Sequence, residues 1–155
     1  MTKYKRKGYW QNIYYFSPQE NWGDPDKVDP MLVMVLDELR GFVGRPFHIH
    51  CAYETSGHSP NSYHYLGRAV DFHVDIEPFL AAVYLVDRAL QSLVVKIGTQ
   101  YVRAGDICGL GAYYDWNNKG FHLDTRGWKV RWRRVKGQYK YDGLFPKEHE
   151  DVEAI

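Results

Sequence analysis

The sequence predicts an α+β fold: a small, mainly antiparallel sheet with two main helices packed to one side of it. Two runs carry helical start signals and helical spacing, while the segments between them alternate or carry turn residues. The first run begins at Asp29-Pro30, a cap followed by proline, and continues through Met31-Leu32-Val33-Met34-Val35-Leu36-Asp37-Glu38-Leu39-Arg40. It should stop near Gly41 or Gly44. Apolar residues nearly encircle its first two turns, which predicts deep burial. The second run extends from Ile76 to about Leu93, with Asp75 as its cap and Pro78 in its first turn. Its Leu80, Val83, Tyr84, Ala89, Leu90 and Leu93 recur at helical spacing and should pack into the core.

The strands follow from alternation. Pro46 to Ala52 alternates, and this puts His48 and His50 on one face. Phe72-His73-Val74-Asp75 alternates in the same way, with His73 on the face of Asp71. Tyr53 to Tyr63, rich in Ser, Gly, Pro and Asn, is a loop. Val94 to Gly111 carries short apolar runs punctuated by glycines. If Asn117-Asn118-Lys119-Gly120 is a tight turn, Trp116 faces Phe121 and Asp115 faces His122. Asp115 would then share a sheet face with His122 and Asp124, leaving Phe121 and Leu123 to the core. Ser17-Pro18-Gln19-Glu20 has the form of a capping box, and Gly23-Asp24-Pro25-Asp26 is turn chemistry. Residues 1–13 read as an arm or short strand. The Arg126–Lys136 stretch, basic with interleaved Trp, reads as a solvated outer strand, with contact to an anionic polymer as the alternative. The acidic Glu148-His149-Glu150-Asp151 can offset that charge, and residues 137–155 read as a loose extension beyond a core of about 14–136.

At 155 residues the length is that of one domain, large enough to hold a core without staples. A net charge of +1 gives no global pull toward nucleic acid or a membrane, so neither is an expected partner. Aromatics make up 16% of the chain, a level that suits clefts for sugars and peptides as well as cores. Cys51 and Cys108 form neither a disulfide framework nor a CxxC pair, and free thiols are the default. No run approaches the length of a membrane span, and the basic start lacks the apolar stretch of a signal peptide. The expectation is synthesis in the cytoplasm without membrane insertion. Nothing in the sequence sets the oligomeric state.

Chemistry concentrates in two places. Ser62-Tyr63-His64-Tyr65-Leu66-Gly67-Arg68-Ala69-Val70-Asp71 sets an imidazole and a carboxylate seven residues apart around a glycine. About fifty residues on come Gly109-Leu110-Gly111-Ala112-Tyr113-Tyr114-Asp115 and then Phe121-His122-Leu123-Asp124. Two His and one Asp suffice for a catalytic zinc with its fourth position left to water. By spacing alone, however, His64 and Asp71 are any polar pair flanking a turn.

The residues around that pair carry more. Ser-x-His-x-x-Gly-x-Ala-x-Asp, followed by a Tyr-rich segment and a His, resembles the M15 family of zinc D,D-carboxypeptidases and L,D-endopeptidases of peptidoglycan, in particular its small phage-type branch. The Hedgehog signalling domain, which shares that zinc site, is similar over Gly67–Asp71 and Tyr113-Tyr114-Asp115. The resemblance covers roughly residues 14–132. It implies a Hedgehog/DD-peptidase-like fold, Zn2+ as cofactor, and His64, Asp71 and His122 as its ligands. It also implies hydrolysis of a peptide bond in peptidoglycan stem peptides. A cytoplasmic start and a substrate outside the membrane are reconciled in a phage or prophage product released by other means.

The resemblance assigns roles to other residues as well. Larger members carry their general base three residues before the last metal His, where this chain has Lys119. The acid of the Hedgehog-type Tyr-Tyr-acid segment is matched by Asp115, the expected base, with Asp124 as rival. His58, six residues before His64, matches a histidine that stabilises the developing oxyanion. His73 is expected beside the site or in solvent, and the resemblance places no ligand at His48 or His50, although an i, i+2 pair can chelate. Carboxypeptidase members carry an Arg before the motif, and residues 51–57 have none. Internal cleavage such as L-Ala–D-Glu is therefore expected over release of D-Ala. The alternative class is a non-catalytic zinc module for binding or assembly.

Overall fold

The structure, a computed structural model, describes residues 8–150. The first helix, α1 (Pro30–Val43), starts where the proline signal put it, with Asp29 accepting from the Met31 N–H at 3.0 Å. Gly44 ends it in the left-handed conformation (φ 72°) and donates to the Arg40 carbonyl, so the second of the two expected glycines is the stop. The second helix, α2 (Phe79–Ser92), starts later than expected. Pro78 precedes it with extended backbone and no side-chain cap. Asp75 is not the cap: its N–H still bonds to the Pro46 carbonyl, prolonging the strand pairing, and its carboxylate turns to His48.

Eight strands complete the α+β fold: β1 (Phe47–Cys51), β2 (Ala69–Val74), β3 (Val94–Ile97), β4 (Gln100–Arg103), β5 (Gly109–Tyr113), β6 (Gly120–Asp124), β7 (Val130–Val135) and β8 (Gln138–Lys140). Six form one sheet in the order β1-β2-β6-β5-β7-β8, antiparallel except where β5 meets β7. A separate β3–β4 hairpin follows α2. No helix among the described residues is long and apolar enough to cross a membrane.

The sheet has two unlike faces because strand side chains alternate. Phe47, Ile49, Val70, Phe72, Leu110, Ala112, Phe121 and Leu123 are all buried and join the α1 and α2 side chains in one core. Phe79 of α2 packs on Phe121 at 5.3 Å between ring centroids, and Phe47 stacks on Phe72 at 5.0 Å. The opposite face holds His48, His50, Asp71, His73, His122 and Asp124, the alternate residues of β1, β2 and β6. Helices thus cover one face, and polar side chains gather on the other.

Three segments differ from expectation. Residues 8–12 form a short 3-10 helix with Trp10 buried, and residues 1–7 lie outside the described residues. At Ser17 the reciprocal half of the capping box exists, Glu20 accepting from the Ser17 N–H at 2.7 Å, but it closes a turn rather than opening a helix. The basic stretch is no solvated outer strand. β7 lies inside the sheet between β5 and β8, with Trp132, Arg133 and Val135 buried. The following residues are no loose extension up to 150 either. β8 pairs with β7, Leu144 is buried, and the Arg133 guanidinium is held by Asp142, Glu150 and the Gly143 carbonyl.

Candidate metal centre

The first half of the motif forms a 3-10 turn, Tyr63–Leu66, with Ser62 accepting from the His64 N–H at 3.2 Å. Gly67 ends it at φ 68°, and a Cβ there would fall 1.8 Å from the Lys27 carbonyl oxygen. Only glycine fits that position, because the left-handed backbone and the close approach both exclude a side chain. The chain then turns directly into β2, which aims Asp71 back at His64. Antiparallel pairing sets His122 of β6 opposite Asp71. Directly opposed residues share a face, so His64, Asp71 and His122 meet.

Their geometry is specific. His64 Nε2 lies 3.2 Å from Asp71 Oδ1, and His122 Nδ1 lies 3.0 Å from the same oxygen. The far nitrogen of each ring is committed elsewhere. His64 Nδ1 lies 2.7 Å from the Ala52 carbonyl, which can only accept, so Nδ1 carries the hydrogen. His122 Nε2 lies 2.8 Å from Asp124 Oδ2, and Arg126 grips Asp124 through two further bonds of 2.7 and 2.8 Å. That carboxylate is ionised, so Nε2 is its donor. In their neutral forms both rings therefore turn a bare lone pair toward Asp71.

Three electron-pair donors aimed at one point require positive charge there. It comes either as protons on both rings or as a cation. Without a cation, burial would lower the His122 pKa, but hydrogen bonds to Asp124 and Asp71 outweigh burial and raise it to about 9. Burial would likewise raise Asp71, yet hydrogen bonds from His122 and His64 hold it well below the usual carboxylate range. A tetrahedral ion with bonds of about 2.0 Å separates its ligand atoms by about 3.3 Å. The observed 3.0 and 3.2 Å are hydrogen-bond distances that fall just short of that spacing. The far-nitrogen partners, a carbonyl and a carboxylate, are those that orient metal-bound histidines. His64, Asp71 and His122 form a group that could hold a metal ion.

Other site candidates divide. His58 is brought in: its ring stacks on His64 at 4.0 Å, and burial and the neighbouring His64 lower its pKa. Tyr65 fixes its backbone from both sides, accepting from the His58 N–H at 2.8 Å and donating to its carbonyl at 2.7 Å. Asp115 is not brought in. The β5–β6 ladder pairs Gly111, not Asp115, with His122 and ends at Tyr113 and Gly120. The physical cause is Tyr114, which leaves the ladder to bury its ring edge-on against Phe79 and to donate its hydroxyl to the Leu144 carbonyl. Asp115 then accepts from the Gly137 N–H at 2.7 Å and pairs with Arg134. Asp124, the rival base, is fully buried and saturated by His122 and Arg126, which makes it a positioning residue. Lys119 lines a neighbouring cleft beside Asp75. Arg68 is anchored on the Thr125 carbonyl and does not line the metal-centre cleft.

Sequence reasoning missed several residues. A cleft of about 810 Å³ opens over the centre, lined by His58, Tyr63, Trp116, Arg126, Trp132, Arg134 and Tyr141, among others. Trp132 takes the space beside Gly111, where a Cβ would fall 2.4 Å from its indole. Cys51 donates its thiol to Asp71 Oδ2 at 3.5 Å, and burial followed by the Asp71 charge pushes its pKa up. Both cysteines are free. The alternation of Trp132 and Arg134 was the available signal, but it pointed nowhere until β7 was known to lie beside β5. Comparison with protein-family models, curated proteins and solved structures returned no match.

Proposed function

We propose that the protein is a zinc-dependent peptidase of the M15 type that hydrolyses a peptide bond in peptidoglycan stem peptides. The observation that carries this reading is the convergence of His64 Nε2, Asp71 Oδ1 and His122 Nδ1 under an open cleft, with both far ring nitrogens tied to acceptors. Two imidazoles and a carboxylate suit a borderline ion such as zinc and leave one coordination position open. An ion held there supplies Lewis acidity, polarising a carbonyl and acidifying water at neutral pH.

The chain's own groups supply the rest. His58, kept neutral by its surroundings, is the proton acceptor, in the place expected of Asp115. Asp124 holds His122 in the tautomer that binds metal. Tyr63, Trp116, Trp132 and Tyr141 offer flat surfaces to a peptide or sugar, and Arg126 and Arg134 offer positive charge. Both guanidinium groups are already paired, Arg134 with Asp115 and Arg126 with Asp124, so the charge they present to an anion is partly neutralised. The preference for internal cleavage, drawn from the missing Arg in residues 51–57, stays part of this reading. Guanidinium groups reach the cleft from the other end of the chain. Which bond is cut is read from the digest: free D-Ala assigns the terminal bond, and an L-alanyl fragment the internal one.

One observation favours a second reading, a non-catalytic metal module. Among the described residues, the only carboxylates lining the cleft are Asp71 and Asp124, and both are already committed. Mass analysis of muropeptides after incubation with zinc-loaded protein separates the two readings. The peptidase reading expects new fragments that disappear with His122→Ala and fall by at least ~100-fold with His58→Gln, the range general bases command. Intact muropeptides after incubation with metal-loaded wild-type protein would establish the module instead.

A further inference from the structure

A second cluster of metal-ligating side chains lies on the same sheet face, outside the centre described above. In the β1–β2 ladder His48 stands directly opposite His73, and their rings stack at 4.6 Å. Asp75 follows directly on the end of β2, with its N–H still bonded to the Pro46 carbonyl. Its Oδ2 is 2.8 Å from His48 Nε2. One ligand atom from each of His48, His73 and Asp75 falls within 4.8 Å of the others. His50 restrains the His73 ring, with its Nε2 2.6 Å from His73 Nδ1.

We propose that His48, His73 and Asp75 form a second divalent transition-metal site, distinct from the centre at His64, Asp71 and His122. Three features support it. The histidines come from paired strands, so the sheet fixes their separation without loop ordering. The donor set is two imidazoles and one carboxylate, which suits zinc, nickel or copper rather than magnesium or calcium. The site lies on the edge strand β1 and adjoins a cleft of about 950 Å³ lined by His73, Asp75 and Asn118, so an ion can enter from solvent. His48 and Asp75 are exposed, whereas the ligands of the first centre are largely buried, so this site binds more weakly and exchanges faster. Asp71 and His73 are two residues apart on β2, about 6.7 Å, so the sites are neighbours that share no ligand.

The test is equilibrium dialysis of the untagged full chain against zinc, with bound metal counted per chain. Wild type is expected to bind one equivalent more than either His48→Ala or Asp75→Asn. Both substitutions are at exposed positions and leave the core intact. The imidazole nitrogen resonances of His48 and His73 should shift as that extra equivalent is added. The His122→Ala variant should keep the equivalent that His48→Ala loses. This separates the proposal from the fate of the first centre, because loss of metal in His122→Ala alone reports only on that centre. Equal stoichiometry in wild type, His48→Ala and Asp75→Asn overturns the second site.

Discussion

Asp124 stands outside the His64–Asp71–His122 group, yet it sets the tautomer of His122. Its Oδ2 takes the Nε2 hydrogen, which leaves Nδ1 bare, and Arg126 keeps the carboxylate ionised. Replacing the outer partner of a ligating histidine typically weakens metal binding by about 10–100-fold. Asp124→Asn is therefore expected to lose zinc affinity by that factor while the ligand set stays the same, as measured by competition with a chromophoric chelator. Unchanged affinity would remove Asp124 from the account. At Gly67 the penalty falls on folding instead. Left-handed backbone costs an L-residue about 1–2 kcal/mol, and the Lys27 carbonyl occupies the place of a Cβ. Gly67→Ala should lower stability by at least ~2 kcal/mol in a urea titration. A smaller loss would mean that the turn before β2 can shift without disturbing His64.

At the scale of elements, the clearest new feature is the segment after β7. Arg133 sits fully buried in the sheet and is neutralised by Glu150 and Asp142, which ties residues 142–150 to β7. Its hydrogen bonds to Arg133 hold the Glu150 carboxyl below its ordinary value of 4.5. A depressed folded-state pKa contributes stability above the unfolded value and loses it as pH falls through the folded one. Glu150→Gln should thus lower Tm by roughly 3–5 °C at pH 7, with the gap closing below pH 4.5 as the wild-type carboxyl becomes protonated. A constant gap from pH 7 to pH 3 would show that the effect is not ionic.

The same scale shows what the sequence could and could not say. Helix α1 and the cores of β1 and β2 were legible from local signals, whereas the meeting of His64, Asp71 and His122 was implied by the resemblance of the motif and not by spacing. The β5–β6 register was not legible. It depends on Tyr114 finding Phe79 and Leu144, partners more than thirty positions away in one case and thirty in the other. The burial of β7 was hidden for a related reason. A basic strand looks solvated until the acidic residues that neutralise it are placed beside it.

Taken whole, the molecule divides its labour between the two faces of one sheet. The face under α1 and α2 is closed and apolar. The other carries the three converging donors, the cleft above them and a second histidine cluster at the edge. Alternation within β1, β2 and β6 generates both faces from the same residues in sequence. The centre also has a rival, since Cys51, His58 and His64 form another group with ligand atoms close together. The Cys51 thiol instead donates to Asp71 Oδ2, which makes it a hydrogen-bonded neighbour of the His64–Asp71–His122 set. X-ray absorption of the protein loaded with one equivalent of zinc distinguishes them most directly. The account predicts only nitrogen and oxygen neighbours at about 2.0–2.1 Å, with two imidazoles among them. A sulfur neighbour at about 2.3 Å would contradict it.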